Sequence, residues 1–256
     1  MNKVALITGS TSGIGLAIAK EFAKAGYSIS FNGLEINGAE IAAAVGKEFK
    51  VKTFFSNANM LDVAAIANYI SETEKNLGAI DVLVNNAGIQ HVSPIENFPV
   101  EKWNAIIGLN LTASFHTTRL VLEGMKKRNW GRVINIASAH GLVASEFKSA
   151  YVAAKHGLVG FTKVTALEGA PFGITANAVC PGYVDTPLVR NQIADQAKTH
   201  NMSEEDVISK IMLQKHAIKK FVKPESLGVL CVFLASDNAE LITGTAIPVD
   251  GGWTAQ

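Results

Sequence analysis

The sequence has little of several features that define whole classes of protein. Its 256 residues contain only two cysteines, Cys180 and Cys231, which fit neither a disulfide framework nor a metal-ligand cluster, so we expect no metal. No apolar run approaches the ~20 residues that a membrane-spanning helix needs. The N-terminal segment MNKVALITGS also lacks the layout of a signal peptide. We therefore expect a soluble, cytoplasmic protein.

Neither sign of charge dominates the chain. Its 23 Lys and Arg residues stand against 22 Asp and Glu, which gives a formal net charge of +1, and both signs are interspersed. No segment offers the concentrated basic surface that nucleic acid or an anionic membrane attracts, so we expect neither as a partner. Hydrophobic residues, by contrast, make up 48% of the chain, which is ample for a large core.

What the chain does contain is a regular alternation of short apolar runs and longer helical patterns. Val4 to Thr8 is an apolar run that stops at a glycine, as is typical of a strand buried on both faces, and a helical pattern follows from about Ile14 to Ala25. Six more runs repeat the arrangement, namely SISFN, VKTFF, IDVLVN, RVINIA, ITANAVC and TAIPVD. Seven strands alternating with helices predict an α/β fold with a doubly wound parallel sheet. No linker or repeat interrupts the chain, so we expect one domain over residues 1–256.

One segment breaks this alternation. Residues from about 187 to 221 contain charged and amide-rich helical stretches with little apolar periodicity. A polar insertion after a sheet strand is either surface decoration or a mobile lid over a site at the carboxyl ends of the strands. The position of this segment directly after PGYVDTP favours the lid.

Two segments at predicted strand ends are suited to a dinucleotide. TGSTSGIG (Thr8 to Gly15) joins the first strand to the first helix, and its three glycines leave room for backbone to approach a pyrophosphate. NNAG (Asn85 to Gly88) follows the fourth strand and presents backbone and amide groups at the same edge of the sheet. Glycine-rich turns also occur for purely structural reasons, so the first segment does not decide the matter alone.

A tyrosine and a lysine at helical spacing point to proton transfer. Tyr151 and Lys155 are four residues apart and share one face of a helix. A tyrosine ionises near pH ~10, and a cation within hydrogen-bonding range favours the phenolate. We therefore expect Lys155 to bring the pKa of Tyr151 toward the working range of a general base. A packed ring beside a solvated amine has the same spacing, so the pair needs its context.

Taken together, these motifs resemble the short-chain dehydrogenase/reductase superfamily in order and spacing over essentially the whole chain. The resemblance implies a Rossmann-type fold with a helical substrate lid, a nicotinamide cofactor and reversible hydride transfer. Tyr151 is then the general acid and base, and Lys155 lowers its pKa and holds the nicotinamide ribose. Ser138 holds the reacting oxygen, and Asn110 anchors a water in a proton relay. The cofactor contacts that the resemblance implies are Gly9, Thr11, Gly13, Ile14, Gly15, Leu34, Asn59, Asn86, Gly88, Tyr151, Lys155, Pro181, Gly182, Val184 and Thr186.

Within the superfamily, several segments resemble the bacterial D-3-hydroxybutyrate dehydrogenases, among them NNAGIQHV, INIASAHGLVAS, KSAYVAAKHG and VDGGW. This resemblance implies reversible oxidation of D-3-hydroxybutyrate to acetoacetate by a homotetramer. It also implies a polar cluster around the substrate carboxylate, made here of Gln90, His140, Lys148 and Gln192. His140 would donate either a hydrogen bond or, if protonated, a charge. Tyr183 and Trp253 either line the methyl end of the substrate or belong to the core.

The choice between NAD and NADP depends on the charged residues near the adenosine ribose, and the usual ones are missing from this sequence. Gly33 occupies the position where an NAD-using member commonly has an aspartate, and Glu35 two residues later is a candidate substitute. An NADP enzyme would need an arginine or lysine there or in the glycine loop, and neither TGSTSGIG nor SFNGLE contains one. We therefore expect NAD, with Leu34 against the adenine and Asn59 accepting a hydrogen bond from its amino group.

Two other functions remain open. A 3-oxoacyl carrier-protein reductase has the same fold but prefers NADPH and an open channel for a long thioester arm. A non-catalytic dinucleotide sensor or scaffold usually lacks the tyrosine or the lysine, and this chain has both. The missing cofactor cation and the carboxylate-type cluster favour a dehydrogenase of a short 3-hydroxy acid.

Overall fold

The computed structural model describes residues 2–187, 189–190, 193, 197 and 201–255. Within them, seven parallel strands form one sheet in the order β3-β2-β1-β4-β5-β6-β7. This arrangement confirms the seven strands and the doubly wound parallel sheet of a Rossmann-type fold that the sequence predicts. The strands are β1 (Val4–Ile7), β2 (Ser28–Asn32), β3 (Thr53–Ser56), β4 (Ile80–Asn85), β5 (Gly131–Ile136), β6 (Ile174–Pro181) and β7 (Ala246–Val249).

Helices cover both faces of the sheet. They are α1 (Gly13–Lys24), α2 (Gly38–Phe49), α3 (Val63–Leu77), α4 (Val100–Ile107), α5 (Ala113–Arg128), α6 (Ser149–Gly169), α7 (Glu204–Val207) and α8 (Pro224–Leu234). A π-helical turn, Gly108–Thr112, joins α4 to α5, and a second one, Ile208–Met212, follows α7. In the described part of the chain, no helix has both the length and the apolar character needed to cross a bilayer.

The core is divided by the sheet into two layers. In β1, Ala5 and Ile7 belong to the layer formed with α1, α2 and α8, whereas Leu6 belongs to the opposite layer with α3 and α5. Successive side chains of a strand point to opposite faces, so a strand covered on both sides is mostly apolar, and its buried polar residues are hydrogen-bonded, as Asn85 is to Asn135. Burial on both faces therefore explains the apolar runs in the sequence.

The position of β1 in the sheet creates the crevice where ligands bind in such folds. Ile7 pairs with Phe31 of β2 on one side and with Val84 of β4 on the other. The connections leaving β1 and β4 therefore run to opposite sides of the sheet, which opens a crevice outside the carboxyl ends of these strands. Both the glycine loop and NNAG follow strands that end at this crevice.

The segment predicted as a lid has more apolar order than its sequence suggests. Ile193, Val207 and Met212 are buried together, with Tyr183 and Phe221 packed against them. Val207 and Met212 are five residues apart, Val207 just before the π-helical turn and Met212 at its end, and the hydrogen bonds of this turn span five residues instead of four. A search for the α-helical period therefore misses this apolar face. Its function as a lid stays a prediction.

Candidate active site

The catalytic side chains predicted from the sequence meet at the carboxyl ends of β5 and β6. Tyr151 and Lys155 lie one turn apart on α6, and Ser138 follows β5 directly. The Lys155 Nζ donates a 2.7 Å hydrogen bond to the carbonyl of Ile136 and lies 5.6 Å from the centre of the Tyr151 ring. Ser138 hydrogen-bonds with Tyr151. The three groups thus form one cluster.

The pKa shifts in this cluster differ from the expectation. Burial raises the pKa of Tyr151, and the hydrogen bond with Ser138 opposes the increase only in part. Burial also lowers the pKa of Lys155 to about 8. The protein groups alone therefore do not bring Tyr151 toward a neutral pKa, because desolvation of the phenolate outweighs the effect of its neighbours. In this state Tyr151 is a proton donor at neutral pH.

Asn110 holds the loop that follows β4. It lies in the π-helical turn and is buried. Its Oδ1 accepts a hydrogen bond from the backbone N–H of Ile89, and its Nδ2 donates to the carbonyl of the same residue, both at 2.9 Å. The side chain therefore holds the backbone of Ile89 in place, and its part in a water relay stays a prediction.

A pocket of about 210 Å³ lies beside Tyr151 and contains three of the four residues predicted to bind the substrate, Gln90, His140 and Lys148. The fourth, Gln192, lies outside the described residues. Lys148 occupies the N-cap position of α6, immediately before the first helical turn. The preceding residue, Phe147, has a φ of +65°, which is uncommon for a bulky residue.

His140 is a neutral hydrogen-bonding group. Its Nδ1 lies 3.4 Å from the Oγ of Ser138, and its Nε2 lies 3.0 Å from the Oγ of Ser145. Burial, together with the positive charges of Lys148 and Lys215 and a smaller effect from His156, lowers the pKa of His140 to about 3. Of the two alternatives for His140, this environment favours the neutral hydrogen-bond donor, because the cations around the buried ring disfavour protonation.

Two cations surround this part of the pocket. Burial lowers the pKa of Lys148, and the nearby charge of Lys215 adds to the effect. The Nζ atoms of both lysines lie over aromatic rings, Lys148 5.6 Å from the centre of Tyr183 and Lys215 5.9 Å from that of Trp253. Such a site favours binding of an anion, because the anion would offset the repulsion between the two positive charges.

Tyr183 and Trp253 form an aromatic wall, and both line the pocket. Their rings are stacked with centres 6.0 Å apart and an angle of 4° between planes. The Trp253 ring also meets the His140 ring edge to face at 5.0 Å, and the buried His216 packs against both aromatic rings. The two aromatic residues thus belong to the core and to the pocket at once.

A second cavity, about 820 Å³ in volume, runs from the glycine loop to the pocket. Gly9 has a φ of +60°, and a Cβ on Gly15 would lie 2.1 Å from the carbonyl oxygen of Gly9. Side chains are therefore excluded where β1 turns into α1, and the N-terminus of α1 faces the groove with its free N–H groups. This arrangement fits the pyrophosphate of a dinucleotide.

Most residues predicted to contact a cofactor border one of these two cavities. They are Gly9, Gly13, Ile14, Gly15, Leu34, Asn59, Asn86, Gly88, Tyr151, Lys155, Pro181, Gly182, Val184 and Thr186. The Oδ1 of Asn59 already accepts a 3.0 Å hydrogen bond from the N–H of Leu61. Thr11 borders neither cavity, because its side chain is buried and donates a hydrogen bond to Glu35.

Glu35 provides a negative charge at the groove. Its carboxylate accepts hydrogen bonds from the hydroxyls of Thr11 and Ser12, the second at 2.9 Å. Partial burial tends to raise the pKa of Glu35, but these hydrogen bonds and those from backbone outweigh it and lower the pKa. The carboxylate is therefore ionised and fixed over the glycine loop, beside Gly33.

Sequence reasoning missed several residues of the site. Asn32 accepts a 3.3 Å hydrogen bond from the N–H of Gly9 and donates to the carbonyls of Ser56 and Ala58, so it ties the glycine loop to the end of β3. The sequence did contain a signal for Asn32: it ends an apolar strand and stands just before Gly33. Ser145 and Lys215 gave no signal in the sequence: Ser145 lies in an irregular loop after His140, and Lys215 contacts Trp253, which is distant in the chain.

The comparisons with known proteins agree with this geometry. The family model for short chain dehydrogenases matches residues 3–197. D-beta-hydroxybutyrate dehydrogenase of Rhizobium meliloti (strain 1021) is 52% identical over 261 residues, which cover 100% of both chains. The enzyme of the same name from Cupriavidus necator is 52% identical over 257 residues, covering 99% of this chain and 98% of the relative. Acetoacetyl-CoA reductase of Shinella zoogloeoides is 38% identical over 254 residues, with 98% of each chain covered.

Proposed function

The chain belongs to the short-chain dehydrogenase family of oxidoreductases, and we propose that it interconverts D-3-hydroxybutyrate and acetoacetate with NAD. The observation that carries the proposal is the lysine, Lys148, in a small pocket that also contains Tyr151 and Ser138. A cation in the same small pocket as the proton donor suits a substrate whose carboxylate is close to its hydroxyl. The names of the two relatives at 52% identity support the same substrate.

In this proposal Ser138 and Tyr151 act on the reacting oxygen. The Ser138 hydroxyl holds that oxygen, and Tyr151 takes its proton during oxidation or returns it during reduction. When bound, NAD supplies the acceptor for the hydride from C3 of the acid and, in its oxidised form, a positive charge. That charge acts on Tyr151 in the same direction as the hydrogen bond from Ser138, toward the phenolate. Lys155 holds the nicotinamide ribose, and Asn110 anchors a water of the proton relay.

The substrate carboxylate is held mainly by the charge of Lys148. Burial lowers the pKa of this amine, and a bound carboxylate raises it again, so substrate and charge stabilise each other. Gln90 contributes amide donors from the loop after β4, and Gln192 contributes them from the predicted lid. His140 borders the same space with a neutral ring. Tyr183 and Trp253 receive the methyl end of the acid.

NAD, and not NADP, suits the charges at the groove. The ionised Glu35 beside Gly33 would repel the additional phosphate of NADP, and it is able to accept hydrogen bonds from ribose hydroxyls instead. Leu34 is 72% exposed at the same groove, so an adenine ring would cover an apolar side chain that is otherwise in water. Both features support the unphosphorylated cofactor.

Reduction of a thioester such as acetoacetyl-CoA is the second candidate, favoured by the 38% identity to the Shinella enzyme. A thioester has no carboxylate next to the reacting carbonyl, so Lys148 would lack a partner in the pocket. The size of the pocket and its half-buried cation therefore favour the free acid.

We also propose a homotetramer in the cytoplasm. Apolar side chains are exposed on two separate surfaces, one on α5 and α6 with Phe115, Val164 and Leu167, the other on α8 with Val229 and Phe233. Two independent self-complementary surfaces would assemble four chains. A mass about four times 27.2 kDa in light scattering is expected. The two buried thiols, Cys180 and Cys231, suit a reducing compartment.

The first test of the function is absorbance at the reduced-nicotinamide band with NAD or NADP and each enantiomer of 3-hydroxybutyrate. We expect rapid reduction of NAD by the D form alone. Acetoacetyl-CoA with NADH and NADPH is tested in the reverse direction. Faster turnover of the thioester than of acetoacetate would replace the free acid with the second candidate.

A second test concerns Tyr151. The Tyr151→Phe variant should lose activity by a factor of about 10² to 10⁴, because the ring remains and only the transferable proton is removed. NAD binding, followed by calorimetry, should be retained. Turnover near that of the wild type would remove Tyr151 from its role as acid and base.

A further inference from the structure

We infer that His140 and Ser145 form a proton exit that links the catalytic hydroxyls to solvent. The inference rests on the proposed oxidation, in which Tyr151 gains a proton that must leave the site in every turnover. In this proton exit His140 transfers a proton, in addition to bordering the substrate. Ser145, which is not among the residues predicted to bind substrate or cofactor, becomes part of the machinery for proton transfer.

The first observation is a chain of hydrogen-bonding groups. Tyr151 hydrogen-bonds with Ser138. The Oγ of Ser138 lies 3.4 Å from the Nδ1 of His140, and the Nε2 of His140 lies 3.0 Å from the Oγ of Ser145. The ring of His140 is held against Tyr151 and Trp253, with ring centres 5.9 and 5.0 Å apart. Packing therefore keeps one nitrogen toward each serine.

The second observation is that this row of hydrogen-bonding groups reaches solvent at Ser145. His140 and Ser138 are buried, whereas Ser145 is only half-buried. Ser145 lines an open depression together with Ala144, Glu146, Phe147 and Lys215. His140 lines the substrate pocket, and each of its ring nitrogens contacts one serine hydroxyl, so the ring connects the pocket with the residue that lines the depression.

A neutral imidazole suits this position because it accepts a proton on one nitrogen while it donates from the other. The groups facing the ring keep it neutral. Burial lowers the pKa of His140, and the charges of Lys148 and Lys215 act in the same direction, with a smaller effect from His156. A charged ring would instead hold both of its protons and stop the transfer.

The transfer balances in protons and charge. The proton that Tyr151 has taken from the substrate passes to the Oγ of Ser138, and the proton of Ser138 passes to the Nδ1 of His140. The proton on the Nε2 of His140 passes to the Oγ of Ser145, whose own proton goes to water. Each group gives one proton for each that it gains, so Tyr151 returns to the phenolate and no charge accumulates. The reverse direction delivers a proton for reduction of the ketone.

Lys155 and Asn110 have other contacts. The Nζ of Lys155 donates to the carbonyl of Ile136, and the amide of Asn110 is bonded to the backbone of Ile89. Neither bond extends toward solvent through another titratable or hydroxyl group among the described residues. The path through His140 is therefore separate from the water relay proposed at Asn110, and it consists of side-chain groups of the protein.

The test compares Ser145→Val with Ser145→Thr in the full-length enzyme. The two side chains have nearly the same shape, and only threonine keeps the hydroxyl, while the second methyl of valine occupies the space that a bridging water would need. Stopped-flow absorbance follows the hydride through the reduced nicotinamide and the proton through a pH indicator in weak buffer. Each variant is also measured with added imidazole, a small buffer that accepts protons at the depression.

In the wild type and in Ser145→Thr we expect proton release to accompany hydride transfer. In Ser145→Val we expect proton release to be about tenfold slower, with recovery as imidazole is added. Equal behaviour of the two variants, whether both are normal or both are impaired, would overturn the inference, as would a slow valine variant that imidazole does not restore. If the wild type oxidises a different hydroxy acid, only the proposed substrate is overturned. The two Ser145 variants are then compared with that acid.

Discussion

Several side chains of the pocket have pKa values shifted from those of the same groups in water, and burial is the largest cause of each shift. The pKa values of Lys148, Lys155 and His140 are all lowered, and that of Tyr151 is raised. In every case desolvation disfavours the charged form, so the site without ligand tends toward neutrality. A carboxylate and a cationic cofactor are the ligands that reverse these shifts.

Lys148 should determine the affinity for the acid. Lys148→Met keeps the apolar stem and removes the charge, so the KM for 3-hydroxybutyrate should rise about 10- to 100-fold, in line with a charge-assisted hydrogen bond. The affinity for NAD, measured by calorimetry, should not change. Lys163→Met, on an exposed position of the same helix, is the control. A change in NAD affinity without a change in KM would contradict the assignment.

Glu35 should determine the choice between NAD and NADP. Glu35→Gln keeps the hydrogen-bond acceptor for Thr11 and Ser12 but removes the charge at the groove. The ratio of kcat/KM for NADP to that for NAD should therefore rise about tenfold, which corresponds to ~1.4 kcal/mol. Glu40→Gln, an exposed position on α2, should leave the ratio unaltered. An unaltered ratio in Glu35→Gln would show that the carboxylate does not face the additional phosphate.

At the scale of elements, the start of α6 combines an unusual backbone conformation with a residue predicted to bind the substrate. The chain enters α6 through Phe147, whose φ of +65° is a left-handed conformation, and then places Lys148 at the N-cap. The carbonyl of Phe147 accepts a 2.9 Å hydrogen bond from the N–H of Ser93, so this entry is tied to the loop that follows Gln90. A strained residue is thus held between two segments that line the pocket.

The strain at Phe147 should be measurable as stability. Phe147→Gly and Phe147→Ala both remove the half-exposed ring, but only glycine accepts a positive φ without steric cost. The glycine variant should therefore have a free energy of unfolding about 1 kcal/mol higher than the alanine variant in urea titrations. An alanine variant of equal or greater stability would mean that residue 147 does not need the left-handed conformation.

At the scale of the whole molecule, the buried neutral His140 links folding to pH. Its pKa is about 3 in the folded protein, against an ordinary value of 6.5, so the unfolded chain binds the proton more readily. Stability from this residue is present above pH 6.5 and is lost as the pH falls toward 3. Between pH 7 and pH 5 the loss should be about 2 kcal/mol.

His140→Gln removes the titrating group while an amide still reaches the serine hydroxyls. Its free energy of unfolding should therefore fall less steeply between pH 7 and pH 5 than that of the wild type, as measured by urea titration at both values. Parallel pH dependence in the two proteins would mean that His140 is not buried in its neutral form.

The order of elements was readable from the sequence because its cause is local. A strand buried on both faces is mostly apolar, and a helix on a sheet repeats its apolar residues every turn, so VALIT and IDVLVN are predicted as strands without knowledge of their neighbours. The predicted positions of Tyr151, Lys155 and Ser138 around one cluster follow from the same order, since strands and helices of this fold end at one edge. The lid segment was harder, because its π-helical turn breaks the period that a sequence search assumes.

Local sequence patterns were therefore enough to predict the fold, the motif set and the candidate chemistry. The assembled structure was needed to show that the neutral His140 lies between Ser138 and Ser145, that Thr11 holds Glu35, and that Asn110 is bonded to Ile89. These outcomes depend on desolvation and on partners up to 24 residues apart in the chain, for which the local pattern carries no information. A protonation state is a property of the surrounding volume, and that volume exists only once the sheet and its two helical layers have assembled.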